Sequence, residues 1–244
     1  MSDAGEEERG FTEQLVGFRK TSLVDYPAKV ASVLFFPNCN FRCPWCHNRD
    51  LVLGTADDLL PLTLCLETIE RRRHLIQGVA ISGGEPLLYE DIESVIGCVH
   101  DMGLSVKLDT NGSLPERLEK LFTEPGFQPD YIAIDLKTGA AGYPSLAASI
   151  GKDFFPAISE SLRLLTGLGI PFEVRSVICP GFFGEDTVVE LAPYVPRDIP
   201  WFFTPFAPGN CLDPAWNEVR SPSLAEVKAI AEIALRFGKK AFIR

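Results

Sequence analysis

The stretch Val30-Ala-Ser-Val-Leu-Phe-Phe36, followed at once by Pro37-Asn-Cys39-Asn-Phe-Arg-Cys43-Pro-Trp-Cys46-His47-Asn48, sets the reading of this chain. A run rich in β-branched and aromatic side chains, closed by Pro37 and Asn38, predicts a strand. Three cysteines then fall within eight positions, on the loop that leaves the strand's C-terminal end.

Outward from this point, similar runs predict strands over residues 78–82, 105–109, 131–135, 172–178 and 201–204, with a short, weak candidate at 240–243. Amphipathic stretches at 62–75, 91–102, 115–122, 155–168, 185–194 and 223–237 predict helices between them. In the first of these, Leu62, Cys65, Leu66 and Ile69 recur at helical spacing opposite Glu67, Glu70 and Arg71. Strand and helix alternate about six times, which implies parallel strands joined by right-handed crossovers. The result is a closed or incomplete αβ barrel, or an open doubly wound sheet; in each, chemistry gathers at the strands' C-terminal ends.

At 244 residues the chain suffices for one large domain, and residues 1–16, acidic at the start, read as a disordered or loosely packed tail before a domain over 17–244. The 23 basic and 33 acidic residues leave a net charge of -10, which disfavours nucleic acid and anionic membrane surfaces as partners. No apolar run approaches the roughly 18 residues of a spanning helix, and the N-terminus lacks the pattern of an export signal. A cytoplasmic location is expected, where thiols stay reduced. Seven cysteines, three of them clustered, fit a metal site better than a disulfide framework.

A [4Fe–4S] cluster ordinarily takes four cysteines, and the fourth is missing locally. An iron without a protein ligand can accept a small molecule. Zinc held by the three sulfurs and His47 is an alternative, although the adjacent Cys46 and His47 would have to converge on one ion. Buried, unligated thiols are the remaining reading.

Three further strand ends carry polar groups. Ser82-Gly-Gly-Glu-Pro86 combines two residues without a Cβ, which let a backbone approach closely, with the acceptor Glu85. Lys107-Leu-Asp109-Thr-Asn-Gly112 and Ile134-Asp135-Leu-Lys137 set charges where an αβ scaffold aims them at its mouth, though either aspartate could simply cap a helix. Arg175, among apolar residues of 172–178, requires an anionic partner. His74 and His100 read as surface residues.

The Cys-x-x-x-Cys-x-x-Cys loop after a first strand resembles the radical S-adenosylmethionine superfamily. With Gly17-Phe-Arg-Lys-Thr-Ser-Leu-Val-Asp-Tyr-Pro27 before it and Cys46-His-Asn-Arg-Asp50 after it, the chain is similar to the activating enzymes of glycyl radical enzymes. Within these it looks nearest to the anaerobic ribonucleoside-triphosphate reductase activating proteins. The likeness runs from about Gly17 to Pro214.

The resemblance implies a partial (β/α)6 TIM-like barrel with one [4Fe–4S] cluster on Cys39, Cys43 and Cys46. It implies S-adenosylmethionine, cleaved reductively to a 5′-deoxyadenosyl radical, with Trp45, Asn48, Gly83, Gly84, Glu85, Asp109, Asn111, Asp135, Lys137 and Arg175 around it and, in some members, a monovalent cation. The partners implied are a large glycyl radical enzyme and a flavodoxin- or ferredoxin-type electron donor. Activation of another glycyl radical enzyme such as pyruvate formate-lyase, radical chemistry on a small molecule, and a plain iron–sulfur electron carrier are the rival readings. Thr204, Pro205 and Ala207 depart from the family pattern, which has histidine, or glutamine and arginine, in this neighbourhood.

Overall fold

The computed structural model describes residues 12–148 and 151–244. Among these residues nine strands, β1 (Leu15–Ser22), β2 (Ala31–Phe36), β3 (Leu60–Pro61), β4 (Gly78–Gly83), β5 (Ser105–Thr110), β6 (Tyr131–Asp135), β7 (Phe172–Ile178), β8 (Pro200–Pro205) and β9 (Lys240–Ile243), form one sheet of order β3-β1-β2-β4-β5-β6-β7-β8-β9. From β2 onward every neighbouring pair is parallel, while β1 runs antiparallel to both β2 and β3.

This order decides between the barrel and the doubly wound sheet. Parallel strands that advance in one direction without reversal place all their right-handed crossovers on one face. The helices α1 (Arg49–Leu53), α2 (Leu62–Arg72), α3 (Ile92–Asp101), α4 (Pro115–Lys120), α5 (Tyr143–Leu146), α6 (Phe155–Leu168), α7 (Glu185–Leu191) and α8 (Leu224–Arg236) fill the connections. The sheet ends at β3 and β9 without a pair between them, so the barrel is incomplete.

Helix positions forecast as apolar are the buried ones: Leu62, Cys65, Leu66 and Ile69 of α2 pack inward. Ser223 caps α8 by accepting from the Glu226 amide while the Glu226 side chain accepts from Ser223, and this capping box fixes the helix start. The weak candidate at 240–243 is a true strand, β9, parallel to β8.

The expected tail is corrected at its C-terminal end. Residues 1–11 lie outside the described residues, but Val16 is fully buried in β1, and Thr12 donates its amide to Asp91 at 2.7 Å. His100 is half-buried, with Nδ1 2.9 Å from the Gly126 carbonyl and Nε2 3.1 Å from Asp130, and so is no free surface residue. His74 is exposed.

On the concave face, the interior near the strand N-termini is closed by charge rather than by oil. Glu173 is fully buried and receives Arg244 at 2.7 and 2.8 Å and the Tyr131 hydroxyl at 3.0 Å. A buried carboxylate persists only with such partners.

Candidate active site

Period-two alternation sends Ser82 of β4, Lys107 and Asp109 of β5, Asp135 of β6, Arg175 and Val177 of β7 and Thr204 of β8 toward the same interior, in which Asp135 and Arg175 are register partners. Their C-terminal ends open into a cavity of about 500 Å³. The cysteine loop forms the opposite wall.

Of the residues expected at the site, Cys39, Cys43, Cys46, Trp45, Asn48, Gly83, Gly84, Asp109, Asn111, Asp135, Lys137 and Arg175 all line this cavity. Glu85 does not. Its side chain is 1% exposed and turned into the protein, where Oε1 accepts from the Thr110 hydroxyl at 2.8 Å and the Leu87 amide at 3.2 Å, and Oε2 from the Asn111 amide at 2.7 Å. It ties the end of β4 to the end of β5. Burial pushes its carboxyl up to about 7.

The two glycines serve a close approach of one backbone to another. Gly83 sits at φ +119°, and a Cβ on either Gly83 or Gly84 would overlap the backbone of the strand and loop carrying the cysteines, at the Phe36 and Asn38 carbonyls respectively. The side-chain-free backbone lets the cysteine loop lie against β4. The Gly84 amide donates to Phe36 and the Glu85 amide to Asn38, and the Asn48 side-chain amide donates to the Gly83 carbonyl at 2.6 Å.

Bracing on the other side comes from Leu212 and Asp213, which the sequence did not single out, and from His47, which it did. Leu212 and Asp213 donate their amides to the Cys46 and Pro44 carbonyls, and His47 Nε2 donates to the Ala207 carbonyl at 2.6 Å. Trp45 packs on Phe182 and Trp216, at 4.7 and 5.4 Å between ring centres, and closes that flank of the cavity to water.

An ion chain runs along the floor. Asp109 takes Lys107 on Oδ1, and on Oδ2 Arg175 at 3.1 Å and the Ser82 hydroxyl at 3.0 Å. Asp135 takes Arg175 Nε at 2.7 Å and Lys137 at 3.2 Å. Burial pushes the Asp109 carboxyl up, but Arg175 and Lys107 outweigh it and hold it below the ordinary range. In Asp135 burial is likewise overcome, by Arg175 and Lys137, and its carboxyl is held well below that range. Both aspartates are therefore ionised at neutral pH, and Arg175 and Lys137 stay protonated despite burial.

The thiols point to what the loop can hold. Burial pushes Cys39 up to about 11 and Cys43 up to about 12, and raises Cys46 as well. Thiolates in this setting need positive charge delivered directly to sulfur, as iron delivers it. Among the described residues no three His, Cys, Asp or Glu side chains are grouped as one metal ion would need. Three separate thiols on one cavity wall suit a polynuclear cluster, each iron reached by one sulfur. Cys179 and Cys211 are buried nearby, and burial raises the Cys179 thiol further. No helix among the described residues is long and apolar enough to cross a membrane.

Comparison with known proteins agrees with this geometry. A protein of Methanocaldococcus jannaschii assigned to the glycyl-radical enzyme activating enzymes is 27% identical over 236 residues, spanning 93% of this chain and 94% of its own. The pyruvate formate-lyase-activating enzyme of Clostridium pasteurianum is 30% identical over 166 residues, 65% of each chain. Among solved structures, a radical SAM methyltransferase from Sphaerobacter thermophilus superposes with a TM-score of 0.66 at 19% identity, covering 90% of this chain and 67% of that one. The description of the radical SAM superfamily matches residues 33–192, from within β2 through α7, and with it the cysteine loop and the strand ends facing that loop. The chain therefore belongs to the radical SAM superfamily, whose members work with a [4Fe–4S] cluster and S-adenosylmethionine.

Proposed function

We propose that this protein is an activase of a glycyl radical enzyme, with Cys39, Cys43 and Cys46 as the three cluster ligands and the facing strand ends as the seat of S-adenosylmethionine. The observation that carries the reading is one cavity with three thiols on one wall, Cys43 buried and Cys39 and Cys46 partly buried, and the Asp109–Arg175–Asp135–Lys137 chain on the floor. Held there, the cluster and cofactor would supply radical hydrogen abstraction from a backbone glycine of the partner.

The remaining work falls to the chain's own groups. Lys137, whose ammonium stands at the cavity edge of the ion chain, meets a carboxylate as a point charge. Asp109 and Asp135 keep lone pairs free for ribose hydroxyls, because each carboxylate oxygen accepts more than one hydrogen bond. Trp45, Phe206 and Val177 give the wall apolar surface, which keeps water from a reactive radical. Beside Thr204 the wall carries Pro205, Phe206 and Ala207, so adenosine contacts there rest on a hydroxyl, a ring and main-chain groups.

The chain's match along nearly the whole of its M. jannaschii relative favours a protein substrate of the same type. The motif at 17–27 favours anaerobic ribonucleoside-triphosphate reductase among the glycyl radical enzymes, with a flavodoxin- or ferredoxin-type donor and a cytoplasmic setting. Addition of S-adenosylmethionine to the reconstituted, reduced protein should change the cluster's electron paramagnetic resonance spectrum, and incubation with that reductase should produce a glycyl radical doublet. A changed cluster spectrum with no doublet on the reductase, but with one on pyruvate formate-lyase, would reassign the partner. An unchanged spectrum would remove the activase reading itself.

A further inference from the structure

The floor of the cavity is already neutralised by side chains. Lys107 is a lysine with only 2% exposure, two positions before Asp109 on the same face of β5, and its ammonium donates to Asp109 Oδ1. Arg175 holds Asp109 Oδ2 and Asp135 Oδ1, and Lys137 holds Asp135 Oδ2. Each of the four carboxylate oxygens thus has a cationic nitrogen. Three positive groups face two negative ones, which leaves one formal positive charge on the floor.

A monovalent metal ion needs several oxygens that are not already neutralised. A hydroxyl donor can share an oxygen already bonded to Lys107 or Arg175, whereas another cation would meet three positive groups at contact range. The residues present therefore do not fit the cation that the family resemblance suggested.

We propose that the Lys107 ammonium stands in for a bound monovalent cation, so that this pocket receives the carboxylate of its cofactor without sodium or potassium. The inference rests on the S-adenosylmethionine reading above. Lys107 is then a positioning residue: it holds Asp109 and contributes the fixed positive charge that an ion would otherwise bring.

Equilibrium dialysis of S-adenosylmethionine against the anaerobic, cluster-loaded protein tests this, in potassium chloride and in tetramethylammonium chloride of equal ionic strength. Wild-type affinity should differ by less than about twofold between the two salts. Lys107→Met should lose roughly tenfold or more in tetramethylammonium and regain most of it in potassium, because the loss of a charge-assisted hydrogen bond and its fixed charge is of that order. A merely structural lysine would give a variant that potassium does not rescue.

Wild-type binding that needs sodium or potassium overturns the proposal and leaves the cofactor reading intact. A Lys107→Met protein that binds equally well in both salts also overturns it. Failure of the wild type to bind in any salt strikes the cofactor reading instead. Circular dichroism checks folding of the variant; if Lys107→Met does not fold, Lys107→Gln is titrated in its place, and the wild-type comparison stands regardless.

Discussion

Arg175 and Asp135 are register partners across the parallel β6–β7 pair, and the guanidinium Nε reaches the carboxylate at 2.7 Å on the concave side. A contact between register neighbours costs little conformational entropy to hold, because the sheet ladder has already fixed both backbones. The same guanidinium spans to Asp109 on β5, so one side chain ties three consecutive strands at their active-site ends.

Arg175→Leu should leave two carboxylates underneutralised, each with one remaining lysine. Loss of one partner from a mostly buried ion pair costs about 3 kcal/mol, reduced here because the side chains are partly exposed to the cavity. Both aspartates have folded-state values below their unfolded ones, so their contribution to stability is present above the unfolded carboxylate range and is lost as pH falls below it through the depressed folded values. Urea denaturation should therefore show a variant weaker than wild type at pH 7, with the gap narrowing toward pH 3. A gap independent of pH would mean that packing, not charge, sets the loss.

Gly84→Ala should be more damaging than a surface methyl normally is. The added Cβ would overlap a main-chain carbonyl at Asn38, which cannot swing away as the tip of a side chain can. Overpacking of this kind costs roughly 1–3 kcal/mol. It also pushes the loop beginning at Cys39 off β4, so iron incorporation on reconstitution should fall by more than thermal stability alone predicts. Full iron loading with an unchanged melting temperature would refute the close-approach argument.

Cys43→Ala should abolish stable cluster assembly and with it the formation of 5′-deoxyadenosine under reducing, anaerobic conditions. Cys43 is the middle cysteine of the loop and is almost fully buried, so no neighbouring side chain or solvent ligand can replace it without the wall reopening. An unaltered rate of 5′-deoxyadenosine formation in the variant would end the cluster assignment.

What the sequence revealed followed from whether a signal was local. The strands at 131–135 and 172–178 were read to the residue, since both are runs bounded by turn formers and buried on both faces. The three thiols are contiguous enough to betray a shared ligand. β1 escaped because Arg19, Lys20 and Thr21 break any alternation, and because its outer neighbour β3 is only two residues long. Lys107 escaped because its meaning depends on where Arg175, distant in sequence, puts its guanidinium. The inward turn of Glu85 was not legible for a geometric reason: a carboxylate at a strand end looks the same in sequence whether it faces the cavity or the protein interior.

Glu85 provides the last test, and the sign of its pH dependence separates support from ligand contact. Burial raises its folded carboxyl from the ordinary 4.5 to about 7, so the folded state binds the proton more tightly than the unfolded chain between those values. Stability contributed by the protonated form is complete below the unfolded value and declines as pH rises toward 7, by a total on the order of 3 kcal/mol. Glu85→Gln removes this titration but turns an amide group toward the Asn111 or Thr110 donor, leaving one of the three hydrogen bonds unmade at a cost of about 1–3 kcal/mol. The stability difference between wild type and Glu85→Gln, measured by urea denaturation from pH 5 to 8, should therefore favour wild type most at pH 5 and shrink with rising pH. A difference that grows with pH would place the carboxylate in a stabilised, ionised state and return it to the set of groups that could meet a cationic part of the cofactor.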